Sequence, residues 1–156
     1  MKKASIELAL CGPSQGRVLE QLAAAAYRER EEIMTAENRE AFMMLQVNAA
    51  AGRMHVILHK GYPVGFIAVL FFYSVREAGR CAMVEEFYLV PEHRNERIAI
   101  KSLEALLIDL DSFGIVAVHA AAAFSFQLTE TLQLCGFEPW SGMAYRRGLG
   151  LDEDWD

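Results

Sequence analysis

Two adjacent carboxylates, Glu85 and Glu86, interrupt the otherwise apolar run from Arg80 to Val90. Neighbouring side chains in a strand point to opposite faces, so one of the pair is expected on each side of a sheet, where one can reach an ionisable group in a cleft as a general base. The pair reads equally well as rim carboxylates satisfied by Arg80 or by a helix residue. His119 stands in the middle of a second apolar run, Ile115 to Ala121. A neutral imidazole there can relay a proton through water, but because apolar runs often absorb one polar residue it reads more readily as a core histidine bonded to backbone. His55, His59 and His93 have no carboxylate or cysteine at metal-ligand spacing, so no metal site is expected. Cys135 lies beside an apolar helix end without a recognisable histidine partner and reads as core packing, not as a nucleophile.

The elements that must carry these residues follow from hydrophobic periodicity. Ser5 to Cys11 largely alternates in polarity and runs into Gly12-Pro13, which predicts a strand and a turn. Val18, Leu19, Leu22, Ala25 and Ala26 recur at helical spacing over Ser14 to about Ile33, with Ser14 as a candidate cap. Thr35 can cap a second helix over Ala36 to Ala51. His55 to Leu58 and Val64 to Val75, joined at Gly61, predict a hairpin, and Arg80 to Val90 a further strand. Ile98, Leu103, Leu106, Leu107 and Leu110 mark an amphipathic helix that ends near Gly114. That helix supplies a crossover, so Ile115 to Ala121 is expected to lie parallel to the preceding strand. A helix over Phe124 to Leu134 and a closing hairpin of Phe137 to Trp140 with Met143 to Leu149 complete the chain. The order is β-α-α-β-β-β-α-β-α-β-β.

Composition narrows the classes. A chain of 156 residues with 53% hydrophobic content can bury one core without staples, which predicts a single domain over 1–150 and an acidic tail over 151–156. A net charge of −6 argues against nucleic acid as a partner. The longest apolar stretch, Val64 to Tyr73, is half the length of a spanning helix, so no membrane partner is expected. Three widely spaced cysteines give no disulfide framework and suit reduced thiols in the cytoplasm. The aromatics in Leu70 to Tyr73 can serve a homodimer.

The element order, together with Val84-Glu85-Glu86-Phe87-Tyr88-Leu89-Val90-Pro91-Glu92-His93-Arg94-Asn95-Glu96-Arg97-Ile98-Ala99, resembles the GNAT superfamily of acyl-CoA-dependent N-acyltransferases. Leu134-Cys135-Gly136-Phe137-Glu138-Pro139 followed by Tyr145-Arg146-Arg147 is similar to the family's ending. The resemblance implies an α/β (α+β) fold. Its mixed, mostly antiparallel sheet would have about six to seven strands and about four helices, with strands four and five parallel and splayed. The family's loop core is Gln or Arg, two residues, Gly, one residue, then Gly or Ala. Arg94 and Ala99 fit it, while Arg97 replaces the central glycine.

Such a loop at a helix N-terminus offers backbone N–H groups and a positive dipole end to the diphosphate of coenzyme A. The resemblance therefore implies acetyl-CoA as acyl donor and an amine as acceptor. Phe87, Leu89, Val90, Arg94, Asn95, Glu96, Arg97, Ile98 and Ala99 would surround the donor, with Ser125 as a stand-in for the family's asparagine. Arg97 either adds a phosphate contact or fills the site. The alternative is a plain turn into a helix with Arg94 and Arg97 as solvated charges. Glu85, Glu86 and His119 are the base candidates. The family's tyrosine acid is missing, since its place falls at Leu132 beside Thr131; Tyr145 and Tyr88 are the remaining candidates, each also readable as a packed aromatic. The first two helices and the hairpin at 140–145 would shape the acceptor cleft, and an acidic chain suits a cationic amine. The rival expectation is a non-catalytic binding or interaction module of the same fold. An open fork between strands four and five would favour the enzyme; a fork plugged by Arg97 would favour the rival.

Overall fold

The computed structural model describes residues 6–121, 128–140 and 145–149. In chain order the elements are β1 (Ile6–Leu10), α1 (Gly16–Glu29), α2 (Ala36–Val47), β2 (Gly52–His59), β3 (Tyr62–Ser74), β4 (Gly79–Leu89), α3 (Glu96–Asp111), β5 (Ala117–Ala120) and α4 (Thr129–Leu134). One sheet in the order β1-β2-β3-β4-β5 holds the strands together. All neighbours pair antiparallel except β4 and β5, which are parallel because α3 carries the chain back across the sheet.

The described residues thus contain five strands, not six to seven. The closing hairpin accounts for the difference: 137–140 and 145–149 carry no strand, and 141–144 lie outside the described residues. Pro139 has no N–H to give a ladder, and Glu138, Pro139 and Trp140 are exposed, so neither pairing nor burial favours a strand there. Helix starts also moved. Pro13–Gln15 forms a 3₁₀ turn in which the Gln15 side chain accepts from the Gly12 amide at 3.0 Å, and α1 begins only at Gly16. Thr35 does cap α2: its hydroxyl accepts from the Asn38 amide at 3.1 Å, and the Asn38 side chain accepts from the Thr35 amide at 3.0 Å.

Each face of the sheet has its own core. Leu103, Leu106 and Leu110 of α3, one helical face, pack with Ile57, Ile67, Val69, Ala82, Val84, Phe87 and Leu89. On the other face Leu19, Leu22, Ala23 and Ala26 of α1 pack with Met54, Val56, Phe66, Ala68 and Tyr88. Among the described residues no helix is long and apolar enough to cross a membrane.

Candidate active site

The two faces expose a break in the alternation of β4. Val84 belongs to the α3 face, and so does Phe87, which strict alternation would put on the opposite side. The register explains this: Val69 pairs with Val84 and Ala68 with Glu86, leaving Glu85 as the extra residue of a β-bulge. The expectation of one carboxylate on each face is therefore corrected. Because the bulge reverses the parity, Glu85 and Glu86 both point to the α1 face.

Glu86 is the more confined of the two. Its Oε1 lies 3.4 Å from Arg30 Nη2, its side chain is 16% exposed, and its buried Oε2 has no hydrogen-bond partner. Burial pushes its carboxyl above the usual carboxylate range; Arg30 opposes the shift and the Glu85 charge adds to it. Arg30 is itself held by Glu32 at 3.4 Å and by the Tyr27 ring, whose centroid lies 4.6 Å from the guanidinium carbon. Glu85 is exposed.

Next to the bulge the pairing of β4 with β5 ends. Parallel pairing runs only from Cys81 with Ala117 to Val84 with Ala120, closed by the Ala121 amide donating to the Val84 carbonyl at 3.1 Å. From Glu85 onward β5 no longer accompanies β4, whose other edge stays paired to β3. Phe87 and Leu89 are core side chains, 2% and 0% exposed, so any ligand in the fork meets their backbone. Val90 is tied to β3 by its amide, which donates to the Val64 carbonyl at 2.8 Å.

Beyond β4, Pro91–His93 makes a 3₁₀ turn and Asn95 caps α3, its Oδ1 accepting from the Ile98 amide at 2.9 Å. The amides of Glu96 and Arg97, in the first turn of a long helix, have no intrahelical acceptor. Beside this turn lies a cleft of about 540 Å³ between α3 and α4, lined by Arg94, Asn95, Glu96, Ala99, Leu128, Thr129, Glu130 and Thr131. Arg97 is exposed and does not line this cleft, so its side chain does not fill it; Ile98 is buried in the core.

Arg94 has a structural job. Its guanidinium makes a two-pronged ion pair with Glu29 at the end of α1, its Nε donates to the Leu89 carbonyl at 2.7 Å, and it lies 5.4 Å from the centroid of Tyr88. It staples the loop to β4 and α1, and the residue also lines the cleft. Tyr88 is 3% exposed against Phe66, and burial followed by the Glu29 charge pushes its hydroxyl's pKa up. Tyr145 is 89% exposed, and Ser125 lies outside the described residues. His119 of β5 is half-buried on the same face as Glu85 and Glu86, since Val118 and Ala120 turn to the α3 core. Sequence reasoning missed Arg30, Tyr27 and Glu29, which α1 brings to β4 from more than fifty residues away, and Thr129 to Thr131. Nothing local marks any of them.

The residues suit coenzyme A: the α3 amides for its diphosphate, Ala99 for close approach, and the freed edge of β4 for an extended, amide-bearing arm. Solved structures share the fold. An integron cassette protein from the mobile metagenome of Cole Harbour Salt Marsh superposes with a TM-score of 0.80 at 20% identity, covering 94% of this chain and 91% of that one. Aminoglycoside N-acetyltransferase AAC(6')-Iy, solved with CoA, gives 0.73 at 12% identity over 94% and 97%. A protein from Clostridium acetobutylicum described as a predicted acetyltransferase, solved with acetyl-CoA, gives 0.72 at 14% over 91% and 96%. No curated protein matches the chain by sequence. The family model for the acetyltransferase (GNAT) family matches residues 17–137, and the chain belongs to that family.

Proposed function

We propose that the protein is an N-acetyltransferase that uses acetyl-CoA to acetylate a primary amine by direct attack, with Glu86 as the base. The observation that carries this reading is the bulge at Glu85, which sets a half-buried carboxylate beside the point where β4 and β5 part. Arg97, exposed and outside the lining of the cleft, does not plug it, which favours an enzyme over a non-catalytic module.

Bound acetyl-CoA supplies an activated acetyl group as a thioester. The Glu96 and Arg97 amides hold the donor's diphosphate, and the backbone of Phe87 to Val90 guides its arm toward the fork. An amine arrives as an ammonium ion, drawn by Glu85, Glu86 and the overall negative charge. Glu86 takes its proton, directly or through water, and its raised pKa suits that task better than an ordinary carboxylate. The nitrogen then bonds to the acetyl carbon as the carbon–sulfur bond breaks, and the proton the nitrogen sheds in becoming an amide passes to the departing thiolate. A thiolate is a good leaving group, with an ordinary thiol pKa near 8.5, so the missing tyrosine costs less here than it would for an alkoxide. Tyr88 is packed and Tyr145 exposed, and neither is needed as the acid. The free thiols of Cys11, Cys81 and Cys135 fit a cytoplasmic setting.

The test is thiol release from acetyl-CoA with a panel of primary amines. Glu86→Gln should lower kcat/KM by about 10²–10⁴-fold while leaving acetyl-CoA affinity unchanged. Full activity in that variant would remove Glu86 from the mechanism.

A further inference from the structure

His119 is not absorbed by the chemistry assigned to Glu86, and its surroundings are organised. Its Nε2 is buried, makes no hydrogen bond, and lies 3.7 Å from Oε1 of Glu77 in the turn between β3 and β4. Glu77 is fixed in turn, because its amide donates to the Ser74 hydroxyl at 3.1 Å. Two rings clamp the imidazole: Phe72 at 5.6 Å between centroids, and Trp140 edge-on at 5.4 Å. The other nitrogen is not among the buried unpaired atoms, and the side chain keeps 18% of its surface accessible, so Nδ1 is the nitrogen that meets solvent. Register places His119 beside Met83 on the face that carries Glu85 and Glu86, roughly 7 Å along the strand from that pair.

We infer that Glu77 and His119 form a dyad in which Glu77 holds the proton on Nε2, so that Nδ1 presents a fixed lone pair to the N–H of the amine substrate. A carboxylate beside one ring nitrogen favours the proton there and leaves the opposite nitrogen as an acceptor. The separation of 3.7 Å exceeds a hydrogen bond, and such contacts tighten when ligand fills the site. Glu77 is a positioning residue, acting through His119. The role in catalysis rests on the acetyltransferase reading above, whereas the dyad itself does not.

Nitrogen-15 NMR of the histidine rings near pH 8, with His119 assigned by its loss in His119→Gln, reads both nitrogens. The wild type should show His119 in the Nε2–H form with that proton protected from exchange. Glu77→Ala should lose the protection and Glu77→Gln, whose amide oxygen still accepts, should keep it. Titration with benzylamine should move the Nδ1 resonance, with an apparent affinity about tenfold weaker in Glu77→Ala and restored in Glu77→Gln. A His119 ring in the Nδ1–H form, or a benzylamine response unchanged by Glu77→Ala, would overturn the dyad while leaving Glu86 as the base. Intact NMR behaviour without any acetyl transfer would uphold the dyad as a cation-binding pair and overturn its place in catalysis.

Discussion

Gly65 of β3 pairs with Leu89 at the far end of β4. A methyl group there would meet the Tyr88 carbonyl oxygen head-on, with the Tyr88 carbonyl carbon at 3.0 Å and Leu89 Cα at 3.1 Å. Carbon–carbon contacts settle at about 3.5–4.0 Å and the carbonyl oxygen stands closer than either carbon, so Gly65→Ala must part the two strands by about 1 Å or more. All three obstacles are backbone and no flexible side chain can yield. The cost should therefore lie toward the upper end of the ~1–3 kcal/mol typical of overpacking. The displaced segment, Tyr88 to Val90, is the one proposed to guide acetyl-CoA, and a misplacement near 1 Å is worth about 10²-fold in rate. Urea unfolding reads the first effect, and kcat/KM at a temperature where the variant stays folded reads the second. A variant within ~0.5 kcal/mol of wild type and fully active would refute the close approach and the role given to this edge.

Two further outcomes follow from charges. Glu96 opens α3 and lines the cleft, so it favours the helix dipole while repelling a diphosphate. Glu96→Gln should tighten acetyl-CoA binding measured by calorimetry while lowering stability by about 0.3–1 kcal/mol; weaker binding would contradict the site. His55 is 3% exposed with both ring nitrogens unpaired, and burial lowers its pKa, opposed by Asp109 at 3.7 Å. The unfolded chain then takes the proton first, so its contribution is constant above the ordinary value near 6.5 and stability falls as pH drops below it, by at most about 1.4 kcal/mol per pH unit. Urea midpoints across that range should show the decline, and His55→Leu should flatten it.

Much of this was legible in the sequence, for identifiable reasons. Long apolar periodicity gave α3 and the crossover to β5, and Thr35 marked the start of α2, whereas the reciprocal bond from Asn38 emerged only in the structure. Pattern could not reveal the bulge at Glu85, because an extra residue in β4 is defined only by its partner β3. The faces of Glu85 and Glu86 were misjudged for that reason. Arg94 and Glu29 form a staple between α1 and the loop, and Glu77 meets His119 through the β4–β5 pairing; both are products of topology. Pro139 was the one local warning against a closing hairpin strand.

The most direct test of the account is calorimetric titration of the purified protein, freed of any copurified coenzyme A, with acetyl-CoA. A single site with a dissociation constant between about 1 μM and 1 mM is predicted, weakened by Gly65→Ala and unaffected by Glu86→Gln. Absence of binding by a folded wild-type protein would contradict the cleft between α3 and α4 as a donor site, and with it the proposed acetyl transfer.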